Sequence, residues 1–401
     1  MTAHFLIAGA GIGGLGAALA LGQMGLHVTV LEQSDVFSEV GAGLQISPNA
    51  YKVLSDWGLA DRLQQTANFP QVLQVRDGLT DKLLGQLTQG ATAQARYGYP
   101  FATLHRADLH SLLLQAVRQL PNVSLHGSAK ISEIIESDQQ VTVKIEAGES
   151  FTADALIGAD GLWSRVRQHV INDAAPKSTG HTAWRAMLPM SSVPADFQQD
   201  KVTAWLAPDS HTIAYSVQQG KMLNVVFCVE NSAENKGKNE LQPAYLLPKQ
   251  LSKVLHNTLH KSLQKTFQIA TETNAWTRWD LFDRPPLTAS AGMFNPAHPR
   301  IALLGDAAHP MLPYLAQGAA MALEDAQALA MSVQNSGENL PAAFQHYAQS
   351  RWQRNAAVQT KAARNGQIFH AKPPISWARN AAMGLLGEKL LDMPWLYGST
   401  D

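Results

Sequence analysis

The chain has 401 residues, 45% of them hydrophobic and 16% charged, with a net charge of −1. That is ample apolar material for a large core and more than one domain, and no basic run gives nucleic acid an electrostatic footprint. The single cysteine, Cys228 in the strand-like run VVFCVE, permits neither a disulfide nor a cysteine metal site; it reads as a buried core thiol suited to a reducing cytoplasm.

The first predicted elements are strand, tight turn, helix and strand over residues 4–32, HFLIAGAGIGGLGAALALGQMGLHVTVLE. Gly9, Gly11 and Gly14 have the G-x-G-x-x-G spacing. Gly9 permits a sharp turn out of the strand, Gly11 lets a pyrophosphate approach the backbone, and Gly14 lets the helix pack close to the strand. The helix N-terminus offers N–H groups and a positive dipole end to phosphates. Glu32 closes the second strand, about 20 residues on, where an acid binds a ribose hydroxyl. From Phe5 to Gly22, 18 residues without a strongly polar group reach the length of a membrane span. Six of them are glycine, so strand, turn and helix are the better reading. No Lys or Arg precedes the run, which argues against a signal peptide.

After Glu32, Gly41, Gly43 and Pro48 mark a loop where doubly wound sheets bind ligands, and Asn49 is placed to cap a helix running to about Trp57. Residues 70–100 read as strand and turn pieces, VLQVRD and DKLLGQL, followed by a polar link. RADLHSLLLQAVRQL, residues 106–120, has helical apolar spacing, with Asp108 in its first turn. Short strands follow, ending at Asp160-Gly161. From about 176 to 274 the texture becomes alternating strands, a polar stretch ENSAENKGKNE and a helical segment near 243–268. RIALLGDAAHP is a strand ending in Gly305-Asp306; helices are predicted from Gly318 to Val333 and from Leu340 to Phe369. The tail near 380–391 is apolar and reads as helical core packing.

The glycine turn, His105-Arg106, Asp160-Gly161 and GDAAHPMLPYLAQGAAMALEDA together resemble the single-component FAD-dependent aromatic hydroxylases. Within them the chain is most similar to the 3-hydroxybenzoate 6-hydroxylase, 6-hydroxynicotinate 3-monooxygenase and salicylate hydroxylase branch. The resemblance covers nearly the whole chain. It implies an α/β fold: a Rossmann-like FAD-binding domain from residues 1–70, 101–175 and 275–350, an inserted antiparallel-sheet substrate domain from 71–100 and 176–274, and a C-terminal helical segment, 351–401. It implies tightly bound, non-covalent FAD, with its ADP half on Gly9, Gly11 and Gly14 and its ribose on Glu32. Arg106 would contact the ribityl or phosphate region, Asp160 belong to a D-G motif linked to FAD and NAD(P)H use, Asp306 bind the ribityl chain and Pro310 lie beside the ring. The N–H groups of Gly318-Ala319 would stabilise negative charge on the reduced flavin.

The chemistry so implied is reduction of FAD by transient NADH or NADPH, addition of O2 to give a C4a-hydroperoxyflavin, and attack on an electron-rich ring. HTIAYS puts His211 and Tyr215 four apart on a strand, hence on one face; the resemblance makes His211 the base for the substrate hydroxyl and Tyr215 its pocket partner. After His309-Pro310 the chain has Pro313 where the hydroxybenzoate type has Gln, and Tyr314 where the hydroxynicotinate type has His. Gln45, Pro313 and Tyr314 are therefore pocket candidates; Tyr314, Tyr215 and Gln45 are the expected donors to a substrate carboxylate, and no arginine stands out. His309 reads as structural, and no metal site is expected. The expected enzyme hydroxylates a small phenolic or hydroxypyridine carboxylic acid, in the cytoplasm, as a monomer or homodimer without stable membrane insertion. The competing expectation is a larger lipophilic ring, such as a quinone precursor or polyketide.

Overall fold

The structure is a computed structural model that describes residues 3–38, 41–231 and 259–398. Its first sheet is parallel, with strands in the order Ile301–Leu303, Ala155–Gly158, His4–Ala8, His27–Leu31 and Val123–His126. These strands are short, almost continuously apolar runs, as expected where helices cover both faces. The helix Ile12–Gln23 is buried nearly all round, with no polar face to orient it. The helices Arg106–Arg118 and Gly318–Ser336 pack against it. The 18-residue apolar run is thus a buried strand and helix, and no helix among the described residues is long and apolar enough to cross a membrane.

The second sheet has seven strands in the order Thr277–Asp283, Lys177–Pro189, Met222–Glu230, Ser210–Val217, Lys201–Ala207, Val72–Asp77 and Leu83–Thr88. It unites the two sequence-distant stretches expected to form one sheet, with two differences. The join between Val72–Asp77 and Lys201–Ala207 is parallel, so the sheet is mixed rather than purely antiparallel. Thr277–Asp283, grouped by sequence with the nucleotide-binding segment 275–350, pairs with Lys177–Pro189 at the edge of this second sheet.

Register and the period-2 alternation of side chains divide this sheet into two faces. Trp184, Ala186, Val225, Phe227 and Ala214 pack on the helix Lys261–Glu272 and form a core of their own. The residues between them (Ala183, Arg185, Val226, Cys228, His211 and Tyr215) take the opposite face, because His211 pairs with Cys228 and Cys228 with Ala183. The same register places Tyr215 opposite Asn224 and Arg185 opposite Val226, all on that face.

Smaller elements complete the fold. A two-stranded ribbon pairs Gly43–Ile46 with Ala102–His105, and a three-stranded sheet holds Ile131–Glu136, Val141–Ile145 and Ser150–Ala153. The helix Leu340–Phe369, capped by the Asn339 side chain, runs along Gly318–Ser336 and ends over the second sheet. Ala91–Tyr97 is a helix where the sequence suggested a polar link, bracketed by Gly90 and Gly98 at φ +57° and +79°. Asn49 is not a cap: Ser47 precedes the helix Pro48–Asp56, and Asn49 in its first turn donates to Glu324 at 2.6 Å. The predicted helix near 243–268 is described only as Lys261–Glu272; residues 243–258 and most of ENSAENKGKNE lie outside the described residues. The apolar tail packs less than expected. In the helix Ile375–Leu386, Met383 is buried on the strand Leu83–Thr88, while Ile375, Trp377, Leu385 and Leu386 are exposed.

Candidate active site

The glycine turn has the geometry that its spacing implies. Gly9 sits at φ +96°, and a Cβ there would lie 2.6 Å from the Ala159 carbonyl oxygen. A Cβ on Gly14 would lie 2.0 Å from the Gly9 oxygen, so helix and strand approach too closely for any side chain. Gly11 is the N-cap of the helix Ile12–Gln23 and supplies no side chain to satisfy its first N–H groups, which leaves the end available to an anion. Glu32 accepts from Ala10 N at 2.8 Å and from Ser34 N at 3.0 Å, fixing the carboxylate at the lip of the turn. His110 Nε2 is 2.8 Å from the Ala10 oxygen and ties the helix that begins at Arg106 to the same turn.

Asp160, of the expected D-G motif, turns its carboxylate to the loop that follows it. It accepts from Ser164 Oγ, from Arg165 N at 2.7 Å and from Val166 N at 3.1 Å. These bonds start the short helix Arg165–Val170, so Asp160 shapes the loop against the glycine turn. Burial raises its pKa, and the three donors act against that rise.

Gly305-Asp306 leaves the strand Ile301–Leu303 in a single 3-10 turn, with Asp306 exposed. The turn is anchored from behind by a buried charge network that sequence reasoning missed. Asp325 Oδ2 accepts from Gly305 N at 3.1 Å and lies 2.5 Å from His309 Nε2; Asp325 Oδ1 meets Arg351 Nε at 2.8 Å. Burial alone would raise the Asp325 pKa; the neighbouring His309 and Arg351 outweigh it and hold the carboxyl well below the usual range. His309 is thereby held within this buried network. The available signal was the pair Glu324-Asp325 on the otherwise apolar face of a helix. That helix begins at Gly318-Ala319, preceded by Gln317, whose side chain makes no capping bond. Its first N–H groups are therefore not capped by that side chain, as charge stabilisation at this end requires.

His211 and Tyr215 do share one face of the second sheet, and the structure brings Gln45 and Tyr314 to them. Gln45, on the two-stranded ribbon, hydrogen-bonds the Tyr215 side chain. Pro313 opens the 3-10 turn Pro313–Leu315, which sets the Tyr314 ring edge-on to His211 with centroids 5.2 Å apart. His211 Nδ1 lies 2.8 Å from His370 Nε2, and Tyr314 Oη lies 2.5 Å from His181 Nδ1. Burial lowers the His211 pKa well below the ordinary value, and His370 and His181 add to the shift. His370 is pushed down to about 4, again mainly by burial. Both imidazoles are therefore neutral near pH 7, as a base must be. Burial raises the hydroxyls of Tyr215 and Tyr314, which stay protonated and donate.

The sequence also passed over Arg185. Its side chain is half-buried on the His211–Tyr215 face, with its guanidinium 5.1 Å from the Trp279 ring centroid. Its Nε has no hydrogen-bond partner, nor has Nδ2 of Asn224. Burial lowers its pKa, and the nearby Arg106 lowers it further. A cationic donor left without a partner beside a second unsatisfied donor is suited to an anion. The signal was legible: Arg185 is the one charge in the apolar run TAWRAMLPM.

Comparison with known proteins follows this geometry. Residues 2–362 match the sequence pattern of the family described as "FAD binding domain". The chain is 36% identical to a 3-hydroxybenzoate 6-hydroxylase from Aquipseudomonas alcaligenes, over 99% of this chain and 98% of that one. It is 32% identical to a 6-hydroxynicotinate 3-monooxygenase from Bordetella bronchiseptica, over 88% of each chain. Among solved structures it superposes on Klebsiella pneumoniae HpxO complexed with FAD and uric acid, with a TM-score of 0.84 and 24% identity over 97% of this chain and 94% of the other. A salicylate hydroxylase substrate complex gives a TM-score of 0.77 at 23% identity, over 99% and 95%. The two structures speak for the fold.

Proposed function

The chain belongs to the FAD binding domain family, and on that premise we propose that it hydroxylates a small phenolic or hydroxypyridine carboxylic acid on the sheet face bearing His211, Tyr215 and Arg185. The enzyme is an FAD-dependent aromatic-ring monooxygenase using NAD(P)H and O2. Its residues fit FAD: the glycine turn admits no Cβ, Glu32 stands at its lip, and the end of Gly318–Ser336 is not capped by a side chain. Gly9, Gly11, Gly14 and Glu32 would hold the ADP half, Arg106 the ribityl or phosphate region, and Asp306, Gly318 and Ala319 the flavin half. When bound, FAD supplies hydride acceptance and oxygen activation.

The observation that carries the substrate reading is one neutral buried histidine and one half-buried arginine with a buried, unsatisfied donor on a single face. His211 takes the proton of the ring hydroxyl and makes the ring electron-rich. Arg185 holds the carboxylate, Tyr215 and Tyr314 donate to the ring substituents, and burial excludes water. The larger lipophilic ring is disfavoured, since it offers nothing to satisfy Arg185. The division into domains keeps the boundaries given above, with the substrate-domain limit moved past Asp283. We read the enzyme as cytoplasmic, and as a monomer or homodimer.

Purified protein is expected to be yellow and to release FAD on heating. Colourless protein whose absorbance does not respond to added FAD would overturn the assignment. Oxidation of NADH and of NADPH should then be followed with hydroxybenzoates, salicylate and hydroxynicotinates, with identification of products. Arg185→Gln should raise KM for carboxylated substrates about 10- to 100-fold, the worth of a hydrogen bond to a charged group. For the matching neutral phenols KM should stay near the wild-type value. Equal effects on both series would remove Arg185 from carboxylate recognition.

A further inference from the structure

We propose that His370 and Glu230 form the route by which the proton taken up at His211 leaves the buried site, a role that rests on the reading of His211 as the base for the substrate hydroxyl. His211 is 2% exposed and cannot exchange a proton with water directly. Its Nδ1 is 2.8 Å from His370 Nε2, with ring centroids 5.0 Å apart. His370 is itself 3% exposed, and its Nδ1 lies 3.4 Å from Glu230 Oε1, an ion-pair separation that falls short of an aligned hydrogen bond. The Glu230 side chain is 43% exposed and is the first group along this line that meets solvent. A second line converges on the same oxygen: Tyr314 Oη to His181 Nδ1, and His181 Nε2 to Glu230 Oε1 at 3.9 Å.

The elements meet here because the sheet register sets His181 opposite Glu230, while the end of the helix Leu340–Phe369 drops His370 onto both. Other charged groups face His370. Asp209 favours its imidazolium, His181 and Arg379 oppose it, and Lys372 engages Asp209 at 2.8 Å. Cys228 adds no charge, because burial pushes its thiol up to about 12. An imidazole this buried is a poor resting place for a proton, which suits transfer rather than storage.

The steps balance. The substrate O–H bond breaks as an N–H bond forms at His211 Nε2. The Nδ1 proton of His211 passes to His370 Nε2, the Nδ1 proton of His370 passes to Glu230, and Glu230 returns it to water. When the product oxygen regains a proton along the same line, both tautomers are restored.

The test uses oxidised holoenzyme mixed with 3-hydroxybenzoate, salicylate or 6-hydroxynicotinate in weak buffer with a pH-indicator dye, in a stopped-flow instrument. Wild type should release a proton on binding. His370→Phe should slow that release by about 100-fold or more, the lower end of the worth of a positioned proton-transfer group. FAD content and substrate Kd should stay close to wild type. Imidazole added to His370→Ala should restore the rate, and Glu230→Gln, at the surface, should also slow it. A merely structural His370 would alter Kd or flavin content and gain nothing from imidazole. Proton release at the wild-type rate in both His370→Phe and Glu230→Gln overturns the relay alone. A wild type that binds these acids without releasing a proton overturns the reading of His211, and the relay with it.

Discussion

His211→Ala should retain FAD and substrate binding while its coupled product formation falls about 10²- to 10⁴-fold, the usual worth of a positioned acid–base group. The side chain is buried on a sheet face, and its loss removes an imidazole from a wall that Tyr314, Phe369 and His370 still define. The residues assigned to FAD lie on other elements, so the visible spectrum should be unchanged. NAD(P)H oxidation should continue without matching hydroxylation, because an unactivated phenol is a poor nucleophile. Product yield per NAD(P)H consumed is the decisive measurement, and an unchanged yield removes His211 from the chemistry. The pH dependence has a definite sign. His211 and His370 both have folded pKa values below the unfolded imidazole value near 6.5. Between that value and about 4 the unfolded chain binds more protons, so stability is complete above about pH 6.5 and declines as the pH falls.

Asp325→Ala should be the most damaging substitution to the fold outside the glycine turn. Asp325 is fully buried and satisfies Gly305 N, His309, Arg351 and Asn355 together. Removing one partner of a buried charge pair costs about 3–5 kcal/mol, a large part of the 5–15 kcal/mol typical of a folded protein. The loss is expected as a lower denaturant midpoint in chemical unfolding and as sub-stoichiometric flavin, because the turn bearing Asp306 loses its anchor. Asp325→Asn, which keeps an acceptor for Gly305 N but not the charge, should lie between. A midpoint and FAD content equal to wild type in Asp325→Ala would show the network to be dispensable. With its folded pKa depressed, Asp325 contributes fully above the unfolded carboxyl value near 3.9, and the contribution is lost as the pH falls below it.

What could be read from the chain was what neighbouring residues decide. The glycine turn, Glu32 at the next strand end and the turn at Gly305-Asp306 are local features, fixed by backbone sterics and helix-end electrostatics within a few residues. The pairing of His211 with Tyr215 was equally legible, since period-2 alternation puts residues four apart on one face. The helix at about Leu340 to Phe369 was legible, because its apolar spacing is sustained and nothing interrupts it.

Tertiary structure alone decided what lies across those faces. His370 is 159 residues from His211, and no spacing rule links them; they meet because a helix ends over the sheet. Arg185 is the one charge in its apolar strand, but whether it faces the core or the site depends on the register with Met222–Glu230, which the strand itself does not encode. Asp160 has the sequence of a cofactor motif, and folding adds that its carboxylate accepts from Ser164, Arg165 and Val166 at the start of a helix. Asp325 looked like one more acid on a helix until Gly305, His309 and Arg351 were folded around it. Local pattern sets which face a side chain occupies; only packing sets what that face meets, and the chemistry of this site lies in those meetings.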